Sequence, residues 1–319
     1  MKRTITVVAA GAALALGLTA CGSSSSSGGA GGGAGAAGGD IKIGMSVSTL
    51  NNPYFVQLRK GAEDEAKKEG VTLTVTDAQN DASQQVNQIQ NFASQSMKGI
   101  IINPVDSDAA GPAVKAAERS KIPVIAVDRV VNGGTVAQTV ASDNVAGGKL
   151  AAEELAKQMG EKGKVAILQG VPGTSASRDR GKGFTEGIKA YPNIQVVAQQ
   201  PADFDRTKGL DVMTNLLQSN PGIGGVFAEN DEMALGAVKA LGAKAGKEIK
   251  VVGFDGTPDG IKAIQAGTMN ASVAQQPQLL GQQAVQGAVK AARGEQIEAT
   301  VAVPVKIVTK ENVAEFAGS

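Results

Sequence analysis

The chain contains 319 residues, and its 31 lysines and arginines nearly balance its 30 aspartates and glutamates. A formal net charge of +1 gives no reason to expect nucleic acid or an anionic membrane surface as a partner. The chain has no histidine, so the commonest general base and metal ligand is missing. This composition argues against most hydrolases, and we expect neither a metal site nor a cofactor.

The first residues in chain order have the pattern of a secretion signal. Lys2 and Arg3 precede an apolar stretch from Ile5 to Leu18 that is too short to span a bilayer comfortably. The run Leu18-Thr19-Ala20-Cys21 resembles the lipobox of bacterial lipoproteins, in which the cysteine is lipidated and becomes the new N-terminus. We therefore expect a signal peptide over residues 1–20, lipidation of Cys21, and an extracytoplasmic protein anchored to the outer face of the bacterial cell membrane. The alternative is an ordinary secretory signal with an incidental cysteine.

A low-complexity segment follows the cysteine. Residues 22–39 contain only Gly, Ser and Ala, a composition that cannot bury enough apolar surface to fold and that predicts a flexible tether. Folded sequence is expected to begin near Asp40. About 280 residues remain, which is long for one hydrophobic core and fits two domains of ordinary size.

Beyond Asp40, short apolar runs alternate with longer amphipathic stretches. The apolar runs predict strands over Ile41–Thr49, Val71–Thr76, Gly99–Asn103, Pro123–Asp128, Val136–Ser142, Lys164–Gln169, Ile194–Gln199, Gly225–Ala228, Lys250–Phe254 and Ala271–Gln275. The amphipathic stretches predict helices over Phe55–Glu69, Ser83–Met97, Ala109–Ser120, Ala146–Met159, Ser175–Ala190, Thr207–Gln218, Glu232–Leu241 and Leu279–Arg293. This alternation predicts an α/β fold of doubly wound, Rossmann-like domains with parallel sheets.

Polar side chains follow several of the predicted strands directly: Ser48, Asn103, Asp128, Asn230, Asp255 and Gln275. The carboxyl edge of an open α/β sheet is where ligands bind, because the crevice opens there. The segments Ile122–Asp128 and Ile249–Asp255 also resemble each other, and each delivers a carboxylate to a strand end. Two similar domains facing each other across a cleft would bring these carboxylates together.

Five segments resemble those of the periplasmic ribose-binding proteins: Ser48–Phe55, Asn103–Asp108, Gln200–Arg206, Asn230–Gly236 and Val251–Gly260. The resemblance extends from about Ile41 to Thr309. It implies two lobes joined by three crossovers, with a hinge near Ser142, Gln275 and Val303, that close on a sugar and present it to an ABC permease. The lobes implied are residues 40–142 plus 276–303 and residues 143–275 plus 304–319.

The same resemblance implies the ligand-binding residues. They are Ser48, Asn52, Tyr54, Phe55, Asp128, Arg129, Arg178, Phe204, Asn230, Phe254, Asp255 and Gln275. Tyr54 departs from the family, which has phenylalanine there, and its added hydroxyl can form a hydrogen bond or narrow the pocket.

The chemistry of this set suits a sugar, which has an apolar C–H face and a rim of hydroxyls. Aromatic rings can cover the face, carboxylates accept from the hydroxyls, and guanidinium groups donate to them. Each residue taken alone also has an ordinary structural interpretation. Asp255 followed by Gly256 is typical of a turn, Asn230 of a helix cap, and Phe204 and Phe254 of core residues.

We therefore expect a monomeric sugar-binding protein for D-ribose or a close monosaccharide, working with an ABC permease and its ATPase. Another pentose, allose or a furanose-like signalling molecule is the alternative ligand. A transcription regulator similar to the lac repressor is a weaker alternative, because a signal and tether stand where its DNA-binding segment would be. An extracytoplasmic sugar-acting enzyme would use Asp128 and Asp255 as an acid/base pair.

Overall fold

The computed structural model describes residues 41–316, so the predicted signal peptide, the lipidation site Cys21 and the tether lie outside the described residues. The strands, in chain order, are β1 (Lys42–Val47), β2 (Thr72–Asp77), β3 (Gly99–Ile102), β4 (Val124–Val127), β5 (Gln138–Ser142), β6 (Lys162–Gln169), β7 (Asn193–Pro201), β8 (Ile223–Ala228), β9 (Lys250–Asp255), β10 (Ala271–Ala274), β11 (Thr300–Val303) and β12 (Lys306–Thr309). They form two six-stranded sheets.

The first sheet has the order β11-β5-β4-β3-β1-β2, and the second has the order β12-β10-β9-β8-β6-β7. All neighbouring strands pair in parallel except β10 and β12, which pair antiparallel. Strands β3 and β4 are buried along their whole length, as expected of strands covered by helices on both faces. The predicted fold class, two doubly wound α/β lobes, is confirmed.

The α-helices cover both faces of the sheets. They are α1 (Pro53–Glu69), α2 (Ala82–Ser94), α3 (Gly111–Arg119), α4 (Asn144–Gln158), α5 (Ser175–Gly187), α6 (Arg206–Ser219), α7 (Asp231–Leu241), α8 (Pro258–Ala266) and α9 (Pro277–Ala292). Many begin at polar caps: Asn52, Asp81, Asp143, Thr174, Asp205, Asn230 and Thr257 each accept from a backbone N–H of the first turn. Within residues 41–316, no helix combines the length and the apolar character needed to cross a bilayer.

The chain passes between the two sheets three times. It leaves the first sheet after β5 at Ser142, returns after β10 at Gln275 to α9, and leaves again between Val303 of β11 and Lys306 of β12. Helix α9 packs against α1 and against β3, β4 and β5, so it belongs to the first sheet although it follows ten strands in sequence. The exact residue at which each lobe ends stays a prediction.

Closely packed glycines join three pairs of helices. A Cβ on Gly61 of α1 would lie 2.1 Å from the carbonyl oxygen of Gln278 at the start of α9. One on Gly148 of α4 would lie 2.2 Å from Arg180 O on α5, and one on Gly236 of α7 would lie 2.2 Å from Arg206 O on α6. These glycines let the helix backbones touch, which fixes how far each helix N-terminus extends toward the carboxyl edge of the sheets.

The ten predicted strands and eight predicted helices are present, with ends displaced by a few residues. Two strands and one α-helix were not predicted: β11, β12 and α8. The two strands have four residues each, and Pro304, which lacks a backbone N–H, interrupts the apolar pattern between them. Helix α8 has nine residues and follows the turn at Asp255 and Gly256, so its pattern is too short to stand out.

Candidate functional site

A small cavity lies where the carboxyl ends of the strands of both sheets meet. Residues from both sheets line it, which the strand-end pattern predicts. They are Asn52, Tyr54, Phe55, Asp128, Arg129, Ala176, Arg180, Phe204, Asn230 and Asp255. Helix α1 supplies Tyr54 and Phe55 from its first turn, and Asn52 is the cap of that helix.

The first-sheet side of the cavity is built around Asp128, which follows β4. Asp128 has φ of +67°, a conformation unfavourable for most residues, and it is 3 % exposed. Its Oδ1 accepts from the Tyr54 hydroxyl at 2.7 Å, and its Oδ2 accepts from Asn103 Nδ2 at 3.1 Å. Arg129 Nε lies 3.6 Å from Asp128 Oδ2, and Arg129 Nη1 donates to Pro104 O at 2.8 Å. A carboxylate and a guanidinium are thus held side by side at a strand end.

The second-sheet side repeats this arrangement around Asp255, the last residue of β9. Asp255 has φ of +115° and is 5 % exposed. Its Oδ1 accepts from Gln275 Nε2 at 2.7 Å and from Arg180 Nη1 at 3.3 Å. Arg180 also donates to Glu229 O at 2.6 Å and, through Nε, to Asn144 Oδ1 at 2.9 Å. Each side therefore pairs one buried carboxylate with one buried guanidinium.

Close polar contacts connect the two sides across the cavity wall. The Tyr54 hydroxyl lies 3.1 Å from Gln275 Oε1, on the chain passage between the sheets. Each residue contacts the next in the order Asp128, Tyr54, Gln275, Asp255 and Arg180. Because the charges of the cavity are already paired, the arrangement favours an uncharged, hydrogen-bonding ligand over an ion.

Burial controls the ionisation of these groups. It raises the pKa of the Tyr54 phenol well above its ordinary value, and the carboxylates of Asp128 and Asp255 raise it further. It raises the pKa of Asp255, a rise that Arg180 opposes. It lowers the pKa of the Arg129 guanidinium, which the charge of Asp128 opposes. Desolvation by burial is the largest cause in each case.

Aromatic rings, among them those of Phe55 and Phe204, supply apolar surface to the cavity. The guanidinium carbon of Arg129 lies 5.2 Å from the ring centre of Phe55 and 5.7 Å from that of Phe204. Arg180 lies 5.7 Å from the Phe204 ring centre. Phe204 has φ of +58°, so the loop after β7 is held in an uncommon conformation that brings its ring to the cavity. Rings facing a flat ligand together with fixed polar groups are a typical sugar-binding arrangement.

The structure places most of the predicted ligand-binding residues at this cavity. Eight of them line it: Asn52, Tyr54, Phe55, Asp128, Arg129, Phe204, Asn230 and Asp255. Gln275 joins their hydrogen-bond network without lining the cavity. Ser48 is fully buried and donates its backbone N–H to Asn103 Oδ1, while its Oγ has no hydrogen-bond partner among the described residues.

Two predicted residues lie elsewhere. Phe254 is completely buried in a hydrophobic cluster, where it packs below Arg180 with the guanidinium carbon 3.9 Å from its ring centre. It supports the cavity from behind and does not line it. Arg178 has a side chain that is 55 % exposed and pairs with Asp179 at 3.2 Å, and it does not line the cavity, whereas Arg180 does. Residues two apart on a helix point to opposite sides, and Arg180 is the one that faces inward.

Sequence reasoning missed Arg180, although the sequence carries a signal for it. Arg180 stands four residues after Ala176 and four before Phe184, and all three are buried on the same face of α5. An arginine within the apolar stripe of a helix needs a buried partner, which Asp255 provides. Asn103 was recognised as a strand-end residue but was not assigned to the site, and it orients Asp128.

The two sides also touch each other at the mouth of the cavity. Ser107 N, in the loop after β3, donates to Gly173 O before α5 at 3.1 Å, and Val130 N donates to Ser175 Oγ at 3.0 Å. These hydrogen bonds join the two lobes directly, so the structure is in a closed arrangement.

Comparison with known proteins places the chain in a family. A family model described as a periplasmic binding protein domain matches residues 43–296. The chain belongs to the periplasmic binding protein family. Its extracytoplasmic location follows from membership, and its lobes match the type I structures of that family. Among residues 41–316, no cluster of three His, Cys, Asp or Glu side chains is grouped to hold a metal ion.

Relatives of this periplasmic binding protein include sugar-import proteins. The ribose import binding protein of Escherichia coli K12 is 49 % identical over 84 % of this chain and 90 % of its own length. That of Bacillus subtilis 168 is 48 % identical over 85 % and 88 %. The D-allose-binding periplasmic protein of Escherichia coli K12 is 38 % identical over 74 % and 79 %.

Solved structures agree with these relatives. An ABC transporter solute-binding protein of Mycobacterium smegmatis with bound glycerol superposes with a TM-score of 0.84 at 36 % identity, covering 88 % of this chain and 98 % of that one. One from Actinobacillus succinogenes 130z with bound D-allose gives 0.82 at 35 % identity, covering 86 % and 100 %.

Proposed function

We propose that this chain binds D-ribose, or a close monosaccharide, in the cavity between its lobes and delivers it to an ABC importer. The observation that carries the proposal is a closed cavity in which buried charges are paired and two aromatic rings face polar groups from both sheets. A neutral polyhydroxylated ring complements that surface. The names of the relatives, ribose import and allose-binding proteins, support the sugar class and give no support to the alternative of a sugar-acting enzyme.

The polar groups have distinct roles in this proposal. Asp128 and Asp255 accept from ligand hydroxyls, while Arg129 and Arg180 donate from rigid forks. Asn52 and Asn230 add amide groups at the edge of the cavity, and Phe55 and Phe204 cover the apolar face of the ring. Hydrogen bonds to charged groups contribute about 1.5–3 kcal/mol each, so a few of them give micromolar or tighter affinity after the costs of binding.

Binding works by closure of the two lobes. The lobes would be residues 40–142 plus 276–303 and residues 143–275 plus 304–319, with hinges near Ser142, Gln275 and Val303. Three chain passages between the sheets permit rotation about one axis, and a sugar that contacts both sides stabilises the closed form. The closed form then aligns surfaces on both lobes for the permease, whose cytoplasmic ATPase supplies the energy.

The N-terminal region gives this protein its place at the membrane. Lipidation of Cys21 with a Gly, Ser and Ala tether would keep a monomer close to its permease and raise its effective concentration there. Fatty-acid labelling of the full chain tests the anchor. Label that persists after Cys21→Ser would refute lipidation at this residue.

Isothermal titration of D-ribose into the chain from Asp40 onward tests the ligand. Residues 41–316 hold both sheets and the hydrophobic clusters between their helices, so this part carries the binding protein. The protein is unfolded and refolded first to remove any retained sugar. Tight one-to-one binding of ribose, with weaker binding of allose, xylose, arabinose and galactose, supports the proposal. If none of these sugars binds, the proposal is overturned. If another sugar binds more tightly than ribose, that sugar is the preferred ligand.

A further inference from the structure

The side chain of Gln85 is a polar group within the apolar stripe of α2. Gln85 stands four residues before Ile89 and seven before Phe92, and all three are buried on the same face of the helix. Gln85 itself is 2 % exposed. A glutamine at such a position needs hydrogen-bond partners, because a buried amide without them is costly.

Both ends of the Gln85 amide bond to the backbone of the loop that follows β3. Its Nε2 donates to Asn103 O at 2.9 Å, and its Oε1 accepts from Val105 N at 2.9 Å. One partner is an acceptor and the other is a donor, so only one orientation of the amide satisfies both. The side chain therefore clamps this loop on both sides of Pro104.

The clamped loop holds both charged groups on the first-sheet side of the cavity. Asn103 Nδ2 donates to Asp128 Oδ2 at 3.1 Å, and Pro104 O accepts from Arg129 Nη1 at 2.8 Å. The loop thus sets the direction of the carboxylate and of the guanidinium. Asp128 and Arg129 line the cavity, whereas Gln85 does not. Any influence of Gln85 on a ligand must therefore pass through this loop.

We propose that Gln85 is a positioning residue for sugar binding, which acts by fixing the loop that orients Asp128 and Arg129. The inference rests on the proposed function, since it concerns the site that takes the sugar. A site binds tightly when its polar groups are held in place before the ligand arrives, because ordering them during binding costs affinity. Without the clamp, the loop can move and both charged groups lose their fixed geometry.

Gln88, one turn further along α2, provides a matched control. It is half-buried, its Oε1 accepts from Ser46 Oγ at 2.7 Å and from Thr76 Oγ1 at 3.0 Å, and its Nε2 donates to Asp77 O at 2.8 Å. Gln85 also has a third hydrogen bond, from Nε2 to Ser46 Oγ at 3.2 Å. The partners of Gln88 all lie on β1 or β2. Replacing Gln88 therefore removes as many of these hydrogen bonds as replacing Gln85, without releasing the clamped loop.

The experiment measures the affinities of wild type, Gln85→Met and Gln88→Met for D-ribose, or for the sugar that wild type prefers, by isothermal titration. Thermal unfolding of each protein is measured alongside. Methionine keeps the unbranched shape of glutamine but cannot form the clamp. Both variants should be less stable than wild type, but only Gln85→Met should lose affinity, by about tenfold or more. Gln88→Met should bind within about twofold of wild type.

Gln85→Glu should restore binding. Its carboxyl group, kept protonated by burial, can accept from Val105 N and donate to Asn103 O as the amide does. We expect a sugar affinity within about threefold of wild type. Binding as weak as that of Gln85→Met would contradict the clamp.

The outcomes separate this inference from the proposed function. If wild type binds a sugar and Gln85→Met binds it within about twofold of wild type, the positioning role is refuted while sugar binding stands. An equal loss of affinity in Gln88→Met also refutes it, since the loss would then come from general damage to the lobe. If wild type binds no sugar, the proposed function fails and this inference fails with it. Should Gln85→Met not fold, Gln85→Asn takes its place, because its amide is one methylene too short to reach both backbone groups and should lose affinity to the same extent.

Discussion

Ser107 and Ser175 meet across the mouth of the cavity: the backbone N–H of Ser175 donates to Ser107 Oγ at 3.2 Å. Ser107 follows β3 of the first sheet, and Ser175 is the first residue of α5 beside the second sheet. Both are buried. The contact satisfies one of the N–H groups that every helix start leaves without an intrahelical partner, and it does so only when the lobes are closed.

Ser107→Ala should therefore weaken closure without disturbing either lobe. In the open form, water can satisfy the Ser175 N–H, whereas in the closed variant it is buried without a partner. We expect the affinity for the sugar to fall by about tenfold, chiefly through faster dissociation. Titration and stopped-flow dissociation measure both quantities. Ser94→Ala, at an exposed serine on α2, is the control, and a dissociation rate equal to that of this control would contradict the prediction.

Arg180→Ala should abolish tight sugar binding, whereas Arg178→Ala should retain it. The Arg180 guanidinium lies 3.3 Å from Asp255 Oδ1, and its removal leaves this carboxylate buried without its cation. Losing one partner of a buried charged pair at a binding site typically costs 2–5 kcal/mol, so the affinity should fall by about 100-fold or more. The Arg178 side chain is exposed, and its variant should bind within about twofold of wild type. Titration with ribose distinguishes the two variants. Equal losses of affinity would show that Arg180 is not the arginine on which sugar binding depends.

The stability of the protein should fall as the pH rises from about 4.5 to about 7. Burial raises the pKa of Glu229 from its ordinary 4.5 to about 7, although Ser177, Gly170 and Arg180 oppose the rise. The folded state then holds a proton that the unfolded chain releases above about pH 4.5, so this contribution is complete below that pH and is lost through about pH 7. Asp231, whose pKa is raised to about 6, acts in the same direction. The loss of this proton should lower the free energy of unfolding by about 3 kcal/mol across that pH range.

Thermal unfolding between about pH 5 and pH 8 measures this dependence. Glu229→Gln should reduce the fall in melting temperature without removing it, because Asp231 still titrates. Glu186→Gln is the matched control: Glu186 pairs with Lys149, which lowers its pKa, so its contribution is lost only in more acidic solution. A fall in Glu229→Gln equal to that of wild type would show that Glu229 does not hold the proton.

Gly148→Ala should reduce both stability and sugar binding. The added Cβ would lie 2.2 Å from Arg180 O, so α4 and α5 must separate and carry the Arg180 side chain out of position. Overpacking of this kind costs about 1–3 kcal/mol in unfolding free energy. Gly224→Ala adds the same methyl group at ordinary contact distance, 3.5 Å from Met159 Cε, and serves as the control. Denaturant unfolding and ribose titration are measured for both variants. An unchanged ribose affinity in Gly148→Ala would show that the contact between α4 and α5 does not position Arg180 for binding.

Local sequence pattern predicted a large part of the site because the cavity lies at strand ends. Asp128 and Asp255 each follow a buried apolar run, and parallel strands end at one edge, so their convergence needs no knowledge of helix packing. The same reasoning could not separate Arg178 from Arg180 while α5 was treated only as a polar helix start. It also could not show that Phe254 packs beneath a guanidinium and not against a ligand.

Local sequence pattern predicts the alternation of strands and helices and the carboxylates at the strand ends, because these depend on residues adjacent in the chain. The two lobes were predicted from chain length and from the family resemblance. The tertiary structure decided which face of α5 meets the cavity, since the contact of Gly148 with the Arg180 backbone sets how that helix lies. It also decided that the Tyr54 hydroxyl meets Gln275, 221 residues away, and that Ser107 meets Ser175. Such contacts join segments that only the packed sheets bring together, so no local pattern encodes them.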